Sequence, residues 1–370
     1  MSVRSGPPYS LLRKAIFAGM KKAIAKEDLR TLSKDALEAF IVQDCKQPRY
    51  RAEQVWQWLW QKGARDYDSM SNLPKAFRAE LAKHYELRSI VVDKRQQSTD
   101  GTIKFRFRLH DNQLIESVLI PVSADKRYTV CVSSQVGCSL SCKFCATGQM
   151  DRVRNLTAAE IYDQVFQVNQ ECLEIYGHPL TNIVYMGMGE PLLAYRPVME
   201  SIAHITSPEG LGMSARRITV STAGIAKMIY KMAEDKVRFN LALSLHAADD
   251  QKRDEIMPIN EQNNLSILKT ALLEFYVKTR NKITFEYIAF QNFNDGEADA
   301  KNLAEFCGGL PVMVNIIEYN QVDGVDFVKS NENRLDRFAT QLSKLGVSVT
   351  VRRSRGKDID AACGQLANKD

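Results

Sequence analysis

From about residue 124 onward, aliphatic and β-branched runs alternate with amphipathic stretches of helical spacing, and this alternation limits the fold more than any other feature. The runs at 129–134, 182–188, 217–222, 240–246, 282–290, 312–319 and 347–353 have the length and composition of strands. Helical patterns fill the gaps. One of them opens at Thr157, with Glu160 three residues on as the second half of a capping box. Strands separated by helices pair in parallel through crossover connections. Six or seven such units without a Gly-x-Gly-x-x-Gly fingerprint favour an α/β fold built as a partial (β/α)6-type barrel over a doubly wound sheet. In barrels the chemistry sits at the C-terminal ends of the strands.

Upstream the pattern changes. Residues 1–95 read as a small helical accessory domain, with Ser33 placed to cap a helix through Leu37, Phe40 and Ile41. Trp56, Trp58 and Trp60 crowd one stretch; Trp56 and Trp60 share a helical face with Val55 and Leu59 and suit a local core, although aromatics among Arg and Lys also stack on RNA bases. Residues 96–123 read as a β-hairpin extension. From Thr102 to Leu109 apolar side chains alternate with basic ones, Asp111-Asn112 is a turn, and Leu114 to Ile120 returns. The barrel core then spans 124–358, and 359–370 is a C-terminal segment. Of the formal charge of +6, much comes from residues 1–30, which hold seven basic residues and two acids. Such an arm suits an RNA partner and equally a solvated leader; it is acid-poor like a transit peptide, and a secretory signal would need a longer apolar stretch. No apolar run is long enough for a transmembrane helix, so the protein is expected to be cytoplasmic, without a membrane partner.

Four of the eight cysteines fall between positions 131 and 145. A chain of 370 residues does not need disulfide staples, so such crowding points to metal or thiol chemistry. Cys138, Cys142 and Cys145 have the spacing C-x3-C-x2-C directly after the first strand of the barrel. Three thiolates in one loop can hold three irons of a cubane, and a fourth iron without a cysteine has an open coordination position. A structural zinc would want a closed set of four, for which Cys131 is oddly spaced. Cys363 follows Arg352, Arg353, Arg355 and Lys357, whose charges are expected to make it an exposed thiol of lowered pKa. Cys45, Cys172 and Cys307 suit structural positions.

The C-x3-C-x2-C loop with Phe144 before its last cysteine resembles the radical-SAM superfamily. Further stretches resemble the RlmN/Cfr family of RNA adenine methyltransferases: Cys131-Val-Ser-Ser-Gln-Val-Gly-Cys138, Met186-Gly-Met-Gly-Glu190-Pro191, Ser221-Thr-Ala-Gly224, Ser244-Leu-His246 and Asp358-Ile-Asp-Ala-Ala-Cys363-Gly-Gln-Leu366. The likeness runs from about residue 30 to 367. It implies one 4Fe–4S cluster on Cys138, Cys142 and Cys145, whose open iron binds S-adenosylmethionine, with two S-adenosylmethionine molecules used per turnover. Gly189, Glu190, Ser221, Ser244, Leu245, His246 and Asn320 fall at the positions that contact this cofactor.

Carbon 2 of adenine, flanked by two ring nitrogens, is too electron-poor to attack a methyl sulfonium, so its methylation needs a radical route. The resemblance implies that Cys363 first takes a methyl group, that a deoxyadenosyl radical activates it for addition to the ring, that Glu116 removes the ring proton, and that Cys131 attacks Cys363 to release the product with a transient disulfide. The implied partners are 23S rRNA, at the peptidyl-transferase-centre adenine, and tRNA, at the adenine beside the anticodon. A reductant such as flavodoxin is implied too, and the protein is expected to act as a monomer. Rival readings are methylation at carbon 8 and a metal-stabilised RNA-binding protein without catalysis.

Overall fold

Ten strands form one sheet in which neighbours in the chain are neighbours in space. The computed structural model describes residues 26–369, so the basic arm lies outside the described residues except for its last few positions. Strands β1 (Val91–Gln97), β2 (Ile103–Arg108), β3 (Leu114–Val122) and β4 (Arg127–Cys131) are antiparallel. From β4 the sheet becomes parallel through β5 (Asn182–Tyr185), β6 (Ile218–Thr222), β7 (Asn240–Ser244), β8 (Ile283–Ala289), β9 (Val312–Glu318) and β10 (Ser348–Arg352). Helices cross between the parallel strands: α4 (Ala158–Tyr176), α5 (Tyr195–Thr206), α6 (Ala226–Glu234), α7 (Asp250–Ile256), α8 (Leu265–Thr279), α9 (Glu297–Cys307) and α10 (Glu332–Lys344). No pairing joins β1 to β10, so the expected partial barrel is an open one.

Local chemistry explains the main elements. All seven residues of β8 are buried, as a parallel strand covered on both faces requires. The final strand β10 alternates between exposed and half-buried positions, as an edge strand does. Helix α4 begins in the expected capping box: the Glu160 amide donates to Thr157 Oγ1 at 3.1 Å and the Thr157 amide to Glu160 Oε2 at 2.9 Å. It ends at Gly177 with φ of 65°.

The described residues divide into two compact units. The smaller comprises 26–56 and 64–88, the larger 57–63 and 89–369. In the smaller, α1 (Lys34–Ala39) is capped by Ser33 as expected, and α3 (Lys75–His84) follows Pro74. Leu37, Ile41, Val55, Met70 and Leu81 form its core, with Phe40 edge-on to Tyr85. The helical zone therefore stops sooner than residue 95. Val91–Gln97 is a strand, hidden from sequence reading because Asp93, Lys94 and Arg95 interrupt any apolar alternation. In the larger unit, Trp60 stacks on His204 of α5 at 3.5 Å between centroids, with the rings 4° from parallel. Trp60, at the end of α2 (Tyr50–Trp60), is thus core rather than a base-stacking platform.

Among the described residues no helix is long and apolar enough to cross a membrane. Burial lowers the His204 pKa from 6.5 to about 4. Because the unfolded chain takes up this proton first, stability should fall as pH drops from 6.5 towards 4 and stay level above 6.5. His204→Phe keeps the stack and should remove this slope, by about 1–2 kcal/mol for a partly exposed ring. Urea unfolding of both proteins at pH 7 and pH 4.5 checks this, and equal slopes would contradict it.

Candidate functional site

A cavity with about 910 Å³ of space, including its open mouth, lies where the parallel strands end. Its lining brings together Cys138, Cys142, Cys145, Gly189, Glu190, Ser221, Ser244, His246 and Cys363, all expected from sequence.

Backbone hydrogen bonds and close packing shape the cysteine loop. The Cys145 amide donates to the Cys142 carbonyl at 3.1 Å and the Gly148 amide to the Cys145 carbonyl at 2.9 Å. Gly148 fits because a Cβ there would stand 2.7 Å from the Cys142 carbonyl oxygen. The loop hooks onto α7 through the Lys143 amide and the Ile256 carbonyl, 3.0 Å apart. Phe144 is buried among Ile256, Met257, Phe290 and Tyr319. Burial pushes the Cys138 thiol up to about 11, and holds Cys142 and Cys145 above the ordinary value as well, with each feeling a neighbouring thiol's charge in the cases of Cys138 and Cys142. Buried thiols in such mutual proximity ionise readily only against cations, and iron supplies them. Among the described residues no three His, Cys, Asp or Glu side chains converge on a point that would hold one metal ion. The thiols ring a cavity, which suits a cluster in which each sulfur takes its own iron. The residues present therefore fit a 4Fe–4S cluster, and Cys131 is no fourth member of the lining.

Around the loop, Gly187 lets the backbone after β5 pass the strand beside it, since a Cβ would lie 2.7 Å from the Val132 carbonyl. Gly189 has φ of 95°, and its Cβ would meet Gln135 at 2.4 Å. Glu190 is buried, which raises its carboxyl to about 7. It accepts the Ala223 amide at 2.8 Å and the Leu192 amide at 3.0 Å, and so braces the end of β6. Ser221 and Ser244 face each other with hydroxyls 3.4 Å apart. His246 adopts φ of 54°, and its Nδ1 accepts the Ile288 amide at 3.1 Å. Burial, with Arg253 adding to it, drops its pKa to about 3, so the ring is neutral.

Other expected residues stand behind the lining. Leu245 is fully buried. Asn320 donates to Ser354 Oγ at 2.9 Å and to the Cys363 carbonyl at 3.4 Å, pinning the loop that carries Cys363. Cys131 is buried at the end of β4, near enough to Cys363 that each charge would oppose the other; burial is the larger reason its thiol is held far up. Glu116 is neither in the lining nor on an edge: β3 is an interior strand and Glu116 is fully buried.

The expected pKa of Cys363 needs correction. The residue is exposed, but onto the cavity, and the protein mass around the sulfur raises its pKa. Arg352 pulls the other way. The remaining cations point elsewhere: Arg353 to Asp336, Arg355 to the Pro121 carbonyl and Lys357 to Glu318. All eight cysteines are free thiols here, with Cys45, Cys172 and Cys307 buried as expected of structural residues.

Two functional groups escaped sequence reasoning. Arg253 on α7 is fully buried and donates to the carbonyls of Leu245 at 3.1 Å, Ala223 at 2.6 Å and Ser244 at 3.3 Å. It ties the ends of β6 and β7 together and places its charge near Cys142; burial lowers its own pKa to about 10. Glu286 lines the cavity from β8, fixed by Asn315 Nδ2 at 2.7 Å, with Arg352 3.5 Å from its other oxygen. A carboxylate inside an apolar strand run was the available signal; Arg253 had none. Arg253→Met should cost about 3 kcal/mol in urea unfolding and weaken S-adenosylmethionine binding about tenfold by calorimetry. Wild-type values in both would remove the tie from the site.

The family model described as the ribosomal RNA large subunit methyltransferase N-terminal domain matches residues 27–87, and the radical SAM superfamily model matches 132–304. The chain is 53% identical over 347 residues to a probable dual-specificity RNA methyltransferase RlmN of Cytophaga hutchinsonii, covering 94% of each chain. It is 49% identical to the protein of that name in Flavobacterium johnsoniae, over 94% of this chain and 99% of the other. A crystal structure of a radical SAM methyltransferase from Sphaerobacter thermophilus superposes with a TM-score of 0.88 at 41% identity, covering 93% of this chain and 100% of that one.

Proposed function

Because the chain belongs to the RlmN family of radical-SAM RNA methyltransferases, we propose that it methylates carbon 2 of an unpaired adenine, in the peptidyl-transferase centre of 23S rRNA and beside the anticodon of tRNA. It does so in the cytoplasm, as a monomer, with electrons from a reductant such as flavodoxin. The observation that carries this reading is the position of Cys363, on the lining of the same cavity as Cys138, Cys142 and Cys145.

Cys138, Cys142 and Cys145 would hold a 4Fe–4S cluster, which together with S-adenosylmethionine would supply radical chemistry to the cavity. By the resemblance, Gly189 and Glu190 would hold the methionine end of that cofactor and Ser221, Ser244 and His246 the rest, with Leu245 and Asn320 supporting them from behind. Cys363 serves as the methyl carrier. Its thiolate attacks the methyl carbon of one S-adenosylmethionine, a carbon–sulfur bond forms, and the sulfonium leaves as a neutral thioether. Arg352 stabilises that thiolate against the cost of burial. A second S-adenosylmethionine would be consumed in the radical phase, its deoxyadenosyl group leaving as 5′-deoxyadenosine with one hydrogen of the S-methyl group. Once the methylene bridges Cys363 and the ring, a base takes the ring proton. Glu116 has this role by resemblance, and takes it only after the tail amides that occupy its carboxylate have moved. Cys131, as its thiolate, then attacks the Cys363 sulfur; the sulfur–carbon bond breaks with its electron pair on the ring-borne carbon, which takes up a proton as the new methyl group, and the two sulfurs stay joined until the reductant supplies two electrons.

Cys363→Ala should abolish RNA methylation while iron and sulfide content stay at wild-type levels. Cys131→Ala should leave RNA covalently on the protein, visible as a shifted band in denaturing gels; released methylated RNA at the normal rate would refute its resolving role. Mass spectrometry of nucleosides from treated RNA should find 2-methyladenosine, and 8-methyladenosine in its place overturns the carbon-2 assignment.

A further inference from the structure

We propose that Glu116 is a positioning residue whose carboxylate clasps the C-terminal segment 354–368 and so holds Cys363 in the cavity. The inference rests on Cys363 being the methyl carrier. Glu116 Oε2 accepts two successive backbone amides of this segment, Ala367 at 3.0 Å and Asn368 at 3.2 Å. Its other oxygen lies 3.4 Å from Nζ of Lys104, and both side chains are almost wholly buried. Lys104 donates in turn to the Asp360 carbonyl at 3.3 Å. One ion pair inside the sheet thus grips the segment at 360 and at 367–368, on either side of Cys363.

Two bonds to the cysteine loop hold the stretch between. The Ala146 amide donates to the Gly364 carbonyl at 2.7 Å, and Thr147 Oγ1 to the Leu366 carbonyl at 2.6 Å. Arg106, next but one along β2, donates to the carbonyls of Asn368 and Lys369, each at 3.2 Å. The basic face of the hairpin, which the sequence presents as a surface, is therefore partly the dock for this segment. A charged acceptor taking two amides in a buried site makes strong bonds, and the lysine meets the charge that burial would otherwise leave alone.

A general base that acts only on RNA would leave the RNA-free enzyme unchanged when it is removed. A clasp would not. The test compares reconstituted holoenzyme without RNA as wild type, Glu116→Gln, Glu116→Ala and the double variant Glu116→Ala with Lys104→Met, which leaves no lone buried charge and keeps the fold. Hydrogen exchange should speed up at least tenfold for the amides of 361–369 in both alanine variants and stay near wild type in Glu116→Gln, which retains an acceptor oxygen. Methyl transfer to Cys363 from S-adenosylmethionine, read from the mass of its peptide, should fall at least fivefold in the same order, with rescue by glutamine. Wild-type exchange in both alanine variants overturns the clasp. Faster exchange with undiminished Cys363 methylation overturns its role in placing the thiol. If wild-type Cys363 never gains a methyl group, the methyl-carrier reading fails instead, and the exchange order decides the clasp by itself.

Discussion

Three half-buried thiols, arranged around one cavity, set the terms for the rest of the site. Burial raises the pKa of every one of them, and the charge of Arg253 opposes the rise at Cys142. A loop that is already shaped loses less conformational entropy when its sulfurs take up metal. Backbone bonds within the loop, the hook to α7 and the packing of Phe144 do the shaping. The same helix carries the arginine that knots the ends of β6 and β7, so ligand loop and cofactor wall share one support.

Periodicity made the barrel readable. Strand runs with helices between them admit few alternatives, and the C-x3-C-x2-C spacing placed the cluster loop at the end of the first parallel strand. What stayed hidden has physical reasons. Val91–Gln97 is a strand at the open edge, where Asp93 turns its carboxylate to Arg106 and Arg108 of β2 and the strand's apolar residues stay exposed, so it carries no apolar alternation. The charge around Cys363 was misjudged because proximity in sequence says nothing about where long side chains point; Arg353, Arg355 and Lys357 are each drawn off to an acceptor of their own. Arg253 and Glu286 gain their meaning only from carbonyls and amides contributed by other strands.

The sheet also changes character along its length. Its parallel part is sealed by helices and forms the cavity. Its antiparallel part presents Lys104, Arg106 and Glu116, polar side chains that pair within the sheet and turn their remaining donors and acceptors to the C-terminal segment lying across them. Polar residues that read as the outer face of a hairpin thus become the inner face of a joint. Fold and chemistry meet there, because the residues closing the joint flank the cysteine of the site.

Hydrogen bonds between that segment and β2 or β3 connect positions 251 to 263 residues apart. Contacts of such separation carry the full entropy of loop closure and form late when a chain folds. The cysteine loop shares in that closure, since Ala146 and Thr147 bond to the same segment. Docking the end of the chain is therefore the costly, slow step on which both the loop and the placement of Cys363 depend.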